Sequence, residues 1–382
     1  MLDSIPNHLF ANILLRLPFE SLLQSRRVSK SWRSLIDSPE FVRMHFDAFH
    51  LKSSKSQDNE TFRIVSSTRN NFYTLDFDDI GAGKAIAKRL KPPLDHLGSD
   101  EVRLVGSCNG LLCLVYPNSS TILVWNPWIQ KAWELPSPPV EYSMFGGADS
   151  LLGFGYDSVN DDYKVFNKMR FYDVFDEDQS TWSDEVYVYC FKYSSWRKME
   201  HFQTNYTPSN SFFIPRDGSF VSGALHWMGG KDQNGVIDIM AFDLSTEEFR
   251  KMACPRQPER SFIYPHKLVA LNGFLCFVSF YYGEDGGKCV DLWLMEEYGK
   301  VESWIKLTTI KLGYTDMMHM FCGFTPLAYS KNSRGLLSQI DGEKFLVYDF
   351  ETQKMSDLRI DGAQVSFLHS VVNVGSLIRP HY

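Results

Sequence analysis

The apolar residues of this chain follow two rhythms, one after the other. Over roughly the first 46 residues they recur three and four apart, so Leu9, Phe10, Ile13, Leu14 and Leu17 share one face of a helix. Pro6 suits the first turn of that helix, where its missing N–H has no partner to lose. Pro18 stops it and can open the next, which carries Leu22 and Leu23. Ser29 is placed to cap a third helix bearing Trp32, Leu35 and Ile36. Ser38-Pro39-Glu40 restarts the chain toward Phe41, Met44 and Phe46. From about residue 60 the helical spacing is gone. Short runs of Val, Ile, Phe, Tyr and Trp alternate with polar residues and are separated by turn signals, the pattern of strands. The polar stretch KSSKSQDNE (52–60) lies between the two regimes. The expected organisation is α+β and multidomain: a three-helix unit over 1–48, a linker over 49–61 and an all-β domain over 62–378.

The β region repeats itself. LVWNPWIQKAWELP (123–136), VYVYCFKYSSWRKME (186–200), IMAFDLSTEEFRKMACP (239–255), VDLWLMEEYGKVESWIKL (290–307) and FLVYDFETQKMSDLRI (345–360) each read as strand, polar turn, strand opened by a bulky residue. The bulky residues are Trp133, Trp196, Phe249, Trp304 and Met355, separated by 63, 53, 55 and 51 positions. A fainter copy, RIVSSTRNNFYTLDFDD (63–79), precedes them. GSCNGLLCLV (106–115), FVSGALHWMGG (220–230) and LVALNGFLCFVSF (268–280) lie upstream of several copies, and Asn109-Gly110 and Asn272-Gly273 are strong hairpin pairs. A period near 50 residues with about four strands per unit predicts a β-propeller of kelch length. A β-sandwich with fortuitous spacing is the alternative. Aromatics at 15% suit a large β protein, because rings pack well on pleated surfaces.

Charge and cysteines narrow the setting. The net charge is −7; residues 1–50 hold six Lys/Arg and five Asp/Glu, and the remainder hold 33 and 41, or −8. An acidic body repels phosphate backbones, which argues against nucleic acid as the main partner. No apolar run reaches the roughly 18 residues of a membrane helix, and MLDSIPNHLF is not a secretory signal, so no membrane is expected. The sequons at Asn59, Asn118 and Asn205 then read as chance matches. Seven cysteines without a CxxC pair read as packed thiols in a reducing compartment, cytoplasmic or nuclear.

Catalytic signatures are missing from the sequence. It has no HExxH, GxSxG, Walker A or GxGxxG. Gly81-Ala82-Gly83-Lys84 lacks the offset glycine and the Ser/Thr of a phosphate loop. The ten histidines are dispersed, and His226, beside Trp227, reads as a hydrogen-bonded core residue. Asp157–Asp162 reads as a turn rather than a calcium loop, since Asp and Asn favour turns. No cofactor, metal or catalytic residue is expected. A kelch-type propeller enzyme would need a metal or a catalytic cluster in its central channel.

The helical unit raises a different question. Short helices are marginal alone in water, and this unit carries more apolar side chains than it can bury in itself. Either the helices cap the β domain or they present an apolar surface to a partner. IPNHLFANILLRLPFESLLQSRRVSKSWRSLIDSPEF (5–41) resembles an F-box, on Pro6, Ile13-Leu14, Leu17-Pro18, Leu22, Val28-Ser29-Lys30, Trp32, Leu35-Ile36 and Pro39-x-Phe41. Asn7-His8 departs from the acidic or small residues common there. GSCNGLLCL (106–114), WNPWIQKAWELP (125–136), LGFGYDSVNDDYKV (152–165) and GALHWM (223–228) resemble the F-box-associated domain of plant F-box proteins. Trp128 stands where that family more often has Ser or Thr, a difference expected to affect only a turn.

The resemblance implies a non-catalytic substrate receptor of an SCF (Skp–cullin–F-box) ubiquitin ligase, leading its target to ubiquitination and proteasomal degradation. The F-box would bind the Skp adaptor and through it a cullin–RING ligase, while the propeller holds an unidentified protein substrate. By the same resemblance Pro6, Leu9, Ile13, Leu14, Leu17, Pro18, Leu22, Val28 and Trp32 face the adaptor or brace the surface that does. Arg26, Arg27, Lys30 and Arg33 would form its rim, speeding encounter with an acidic adaptor. The target would meet loops such as 141–148, 173–184 and 281–288. A scaffold that binds the adaptor without assembling a ligase is the other reading.

Overall fold

The structure is a computed structural model that describes residues 7–53, 62–68, 71–76, 83–93, 102–116, 120–140, 149–172, 182–200, 216–231, 237–256, 266–312, 323–330, 334–340, 342, 344–362 and 367–380. Four helices open it: α1 (Asn7–Leu14), α2 (Phe19–Ser25), α3 (Lys30–Ile36) and α4 (Pro39–Ser53). Pro18 sits at the N-cap of α2 in extended backbone, and the Ser29 hydroxyl caps α3 by accepting from the Trp32 N–H at 3.1 Å. The fourth helix exceeds the expected three-helix unit. It runs 15 residues, past position 48 and into the segment read as a linker. Pro6 lies outside the described residues, as do Gly81, Ala82 and the asparagines of the three sequons.

Among the described residues, twenty-five strands follow. β1 (Phe62–Ser67), β2 (Phe72–Asp76) and β3 (Lys84–Leu90) form an antiparallel meander. Three four-stranded meanders come next: β4 (Arg103–Cys108) to β5 (Leu111–Tyr116), β6 (Thr121–Asn126) and β7 (Lys131–Glu134); β8 (Asp149–Asp157) to β9 (Asp162–Tyr172), β10 (Trp182–Cys190) and β11 (Ser195–Lys198); β12 (Asp217–Val221) to β13 (Ala224–Lys231), β14 (Ile237–Asp243) and β15 (Phe249–Ala253). Two more are β16 (Lys267–Leu271) to β17 (Phe274–Tyr282), β18 (Lys288–Met295) and β19 (Trp304–Leu312), and β20 (Thr325–Tyr329) to β21 (Gly335–Ile340), β22 (Lys344–Asp349) and β23 (Lys354–Asp357). β24 (Arg359–Asp361) then pairs parallel with β3, and β25 (His369–Val374) pairs antiparallel with β1.

These strands make six units around a ring. The inner strands β4, β8, β12, β16, β20 and β25 touch in that order, and β25 meets β4 to close the circle. Two units share one eight-stranded sheet, because β8 and β12 pair in parallel at Asp217↔Leu152 and Gly218↔Gly153. That approach requires glycine. A Cβ on Gly153 would lie 2.7 Å from Leu225, and one on Gly218 2.6 Å from Trp227. The fold is therefore a propeller, as the repeat predicts, and not a sandwich.

The repeated segments are the third and fourth strands of successive units, and the bulky residues open or sit within the fourth. Trp196 donates from its indole to the Pro136 carbonyl (2.6 Å) and Trp304 to the Ala253 carbonyl (3.1 Å), each tying its unit to the end of the one before. The fainter copy over 63–79 is out of phase for a topological reason. β1 and β2 are second and third strands, because their inner strand comes from the other end of the chain.

Asn109-Gly110 and Asn272-Gly273 turn tightly with positive φ at both residues. The Asp157 carboxylate accepts from the Val159 and Asn160 N–H groups and holds the β8–β9 turn. It also meets the Lys164 ammonium at 2.9 Å, and Glu247 of the next unit meets that ammonium at 3.0 Å. Residues 173–181 lie outside the described residues, but Asp184 is buried in β10 against Arg170 (2.7 Å) and Lys168 (2.9 Å). Cys108, Cys113, Cys190, Cys254, Cys276 and Cys289 are free, and burial pushes the thiols of Cys254 and Cys276 up to about 12.

His226 is the core histidine its neighbours suggest. It is 1% exposed, with Nδ1 3.0 Å from the Ser219 carbonyl and Nε2 2.7 Å from the Tyr298 hydroxyl. Burial pushes its pKa down to about 4. The folded value lies below the unfolded one near 6.5, so its contribution is present above pH 6.5 and lost as pH falls toward 4, by up to about 3 kcal/mol. Chemical denaturation between pH 7 and pH 4 should show this loss, and His226→Phe should flatten it. A second expectation concerns closure: truncation after Leu368 removes β25, and the chain should lose its cooperative melt.

Candidate functional site

The helical unit has an apolar inside that joins the propeller and an apolar outside that does not. Leu14, Phe19, Leu22, Ile36, Phe41 and Val42 are buried in one cluster with propeller residues Val105, Cys108, Leu111, Phe154, Tyr163 and Leu377. Phe19 is the main anchor. It is 4% exposed, sits edge-on to Trp128 at 6.0 Å, and lies where a Cβ on Gly375 would be 2.5 Å from its ring. Only glycine at 375 lets the chain pass beneath that ring.

Trp128 is more than a turn variant. Its indole N–H donates to the Asn373 side-chain oxygen at 2.7 Å, and the Arg63 guanidinium lies 4.8 Å above its ring. Arg63 also pairs with Glu20 of α2 at 3.1 Å. Asn126, fully buried, donates to the Ser376 and Ile378 carbonyls at 3.0 and 2.9 Å. Arg43 of α4 reaches Asp161 of the β8–β9 turn at 2.8 Å. The helices are thus docked on the face that carries the β4–β5, β6–β7 and β8–β9 turns.

The described residues expected at the adaptor surface divide into three groups. Leu9, Ile13 and Val28 are exposed at 49%, 54% and 61%, and Pro18 is also exposed. Leu17 and Trp32 are half-buried, with Trp32 packed on Phe10 at a centroid distance of 4.5 Å. Leu14 and Leu22, at 1% and 0% exposure, are covered by the chain's own residues. Of the two roles expected, only bracing is open to them. Met44 of α4, 46% exposed, joins the exposed apolar set. The basic group divides too. Arg27, Lys30 and Arg33 are exposed, whereas Arg26 is turned inward onto Asp37 at 2.7 Å and is not a rim residue.

Among the described residues no group of three His, Cys, Asp or Glu is arranged to hold a metal, and no helix is long and apolar enough to cross a membrane. Of the three loops expected to meet a target, 141–148 and most of 173–184 lie outside the described residues. In the third, Tyr281 and Tyr282 end β17, and Asp285 holds the turn by accepting from the Gly287 N–H at 3.0 Å.

A family model of the F-box domain matches residues 2–44, and one of the F-box associated beta propeller domain matches residues 62–374. The F-box protein CPR1 of Arabidopsis thaliana is 30% identical over 98% of this chain and 89% of its own length. F-box/kelch-repeat protein At3g23880 of the same plant is 27% identical over 82% of this chain and 81% of its length.

The joint makes a prediction. Trp128→Ser removes one hydrogen bond and two ring contacts from the docking face, about 1–3 kcal/mol together. Amide exchange should quicken roughly tenfold in α2 to α4 and stay unchanged in β12 to β23.

Proposed function

The chain belongs to the F-box proteins with an F-box-associated β-propeller, which makes it an F-box substrate receptor, and from that premise we propose that it joins an SCF ubiquitin ligase. The exposed side of its helices binds a Skp-type adaptor, and the propeller holds a protein target for ubiquitination and proteasomal degradation. The observation that carries the reading is the exposed set Leu9 and Ile13 on α1 and Val28 in the α2–α3 turn, on a helical unit whose inner side is already filled by Phe19, Leu22 and Ile36. A unit that served only as a cap would have its apolar side chains turned into the propeller. Here they divide, and the outward ones are left about half exposed among the described residues.

The energetics suit such a contact. A fully buried aliphatic side chain contributes roughly 1.5–3 kcal/mol, and these are already about half covered, so each adds about 1 kcal/mol on binding. Several such anchors around Leu17, Pro18 and Trp32 make a small hot spot. Arg27, Lys30 and Arg33 surround it and hasten encounter with an acidic adaptor. The receptor itself performs no bond chemistry in this scheme. It converts an encounter between free molecules into a local one by holding the target beside a ubiquitin-charged enzyme.

Leu9→Asp and Ile13→Asp should each weaken capture of a Skp-type adaptor at least tenfold without moving the melting temperature, and Leu17→Ala with Pro18→Ala should weaken it as well. Leu14→Ala, in contrast, should cost about 2–5 kcal/mol of stability. Undiminished capture by the Asp variants would overturn the reading, and cullin co-precipitation separates a ligase subunit from a scaffold.

A further inference from the structure

The turn between α2 and α3 presents a hydroxyl in a basic setting. Arginine stands three positions before a Ser or Thr at three places in the chain, leading to Ser29, Ser66 and Ser219. Only Ser29 has a second arginine two positions before it, in Arg26-Arg27-Val28-Ser29. Basophilic Ser/Thr kinases read that spacing, because carboxylates in their clefts pair with the guanidinium groups while the hydroxyl enters the active site.

The fold separates the three serines. Ser66 is 0% exposed within β1, its hydroxyl 2.8 Å from that of Ser370. Ser219 lies in the inner strand β12 and donates to the Leu268 carbonyl at 2.9 Å. Ser29 is exposed, as are Arg27, Val28, Lys30 and Ser31 around it, and its backbone is extended, with φ −156° and ψ 164°. An exposed, extended acceptor is the form a kinase cleft takes up. Ser31, whose hydroxyl is 2.9 Å from that of Ser29, has Val28 rather than arginine three positions before it. Arg26 is engaged by Asp37 at 2.7 Å, so a kinase exchanges one carboxylate for another at that guanidinium.

We infer that Ser29 is a phosphorylation site for a basophilic kinase, and that its phosphate switches off the adaptor surface. The Ser29 Oγ takes the γ-phosphoryl group of ATP. An Oγ–P bond forms, the bond from phosphorus to the β–γ bridging oxygen breaks, ADP leaves with that electron pair, and the hydroxyl proton passes to the kinase's carboxylate. The site stands on sequence and exposure; the switch rests on the adaptor reading. A phosphoserine adds about −1.5 to −2 charge at pH 7. Arg33 already lies 3.6 Å from Asp37, so the positive charge of the rim rests mainly on Arg27 and Lys30, the cations nearest Ser29 in the chain. The phosphate cancels that charge and sets a hydrated dianion beside Val28, which is 61% exposed and belongs to the proposed contact. The helix survives, because a phosphate oxygen can accept from the Trp32 N–H as the Ser29 hydroxyl does at 3.1 Å.

The test treats the full chain with MgATP and a kinase selective for Arg-Arg-x-Ser, and maps phosphate by mass spectrometry. The folded chain should take phosphate on Ser29 and none on Ser66 or Ser219. Ser29→Asn, which keeps a capping side chain, should take none at that position, and Arg27→Ala should slow the modification at least tenfold. The phosphorylated chain should melt where the unmodified chain does and capture a Skp-type adaptor at least tenfold more weakly at low salt. The difference should narrow at high salt, as the rim is screened. No phosphate on Ser29 of the folded chain overturns the site. Phosphorylated Ser29 with undiminished adaptor capture overturns the switch. Failure of the unmodified chain to capture adaptor counts against the receptor reading and removes the switch with it, while the mass spectrum alone decides the site.

Discussion

The pairing of β25 with β1, residue against residue from Phe62↔Val374 to Ser67↔His369, is the contact on which the ring depends. Without it the first unit has no inner strand and the circle has two open edges, each a row of unpaired backbone groups. The seven residues from Asn373 to Arg379 also fasten the helices. Asn373 accepts from Trp128 and donates to Ser107 at 3.0 Å. Gly375 passes under Phe19, and Ser376 donates to the Asn109 carbonyl at 2.7 Å. Arg379 reaches Asp37 at 3.8 Å, the same carboxylate that Arg26 holds. Ring closure and helix docking are thus one structural event: the segment that completes the propeller also lays down the floor on which α2 rests.

Much of this was legible in the sequence, for local reasons. The α2 and α3 starts were written in Pro18 and Ser29, because a cap depends on one residue and its next three neighbours. The tight turns were written in Asn109-Gly110 and Asn272-Gly273, and the period near 50 in the recurring Trp133, Trp196, Phe249, Trp304 and Met355. What was hidden depends on residues far apart in the chain. Nothing local in HSVVNV (369–374) marks it as partner to FRIVSS (62–67), about 300 positions earlier. The six-unit ring could not be counted for that reason. The fourth helix was readable in Pro39 and the apolar residues after it, but its continuation to Ser53 runs through a polar stretch that resembles a linker.

The apolar residues of the helices were legible as a set and not as an arrangement. Spacing places Leu9, Ile13, Leu14 and Leu17 on the apolar side of one helix, but which of them turns outward is decided by what α1 packs against. Leu14 faces the core shared with Phe19 and Leu22, and Ile13 one position earlier does not. Trp128 was misjudged for the same reason. Read within its turn it replaces a small polar residue, while in the fold it meets Phe19, Arg63 and Asn373, each from a different part of the chain. Arg26 looks like a rim cation beside Arg27 until Asp37 is brought under it by the turn between α3 and α4.

A receptor that works by position needs a stiff connection between its two binding ends, and the joint described above supplies several independent restraints. Phe19 is held by packing, Trp128 by a hydrogen bond and a guanidinium, and α4 by Arg43 on Asp161. These lie on different elements, so rotation of the helices about one contact would break the others. Exposed ion pairs such as Arg43–Asp161 add little alone, about 0.2–1 kcal/mol, but they fix orientation where the buried contacts already supply affinity. The consequence is geometric. Under the proposed function, helices locked onto the face of the strand turns would keep a target held by the propeller at a constant distance from an adaptor on Leu9 and Ile13. Effective concentration between two tethered partners falls steeply when the tether is slack, so under the proposed function the docking of Phe19 against Gly375 would bear on target modification as directly as the residues that touch either partner.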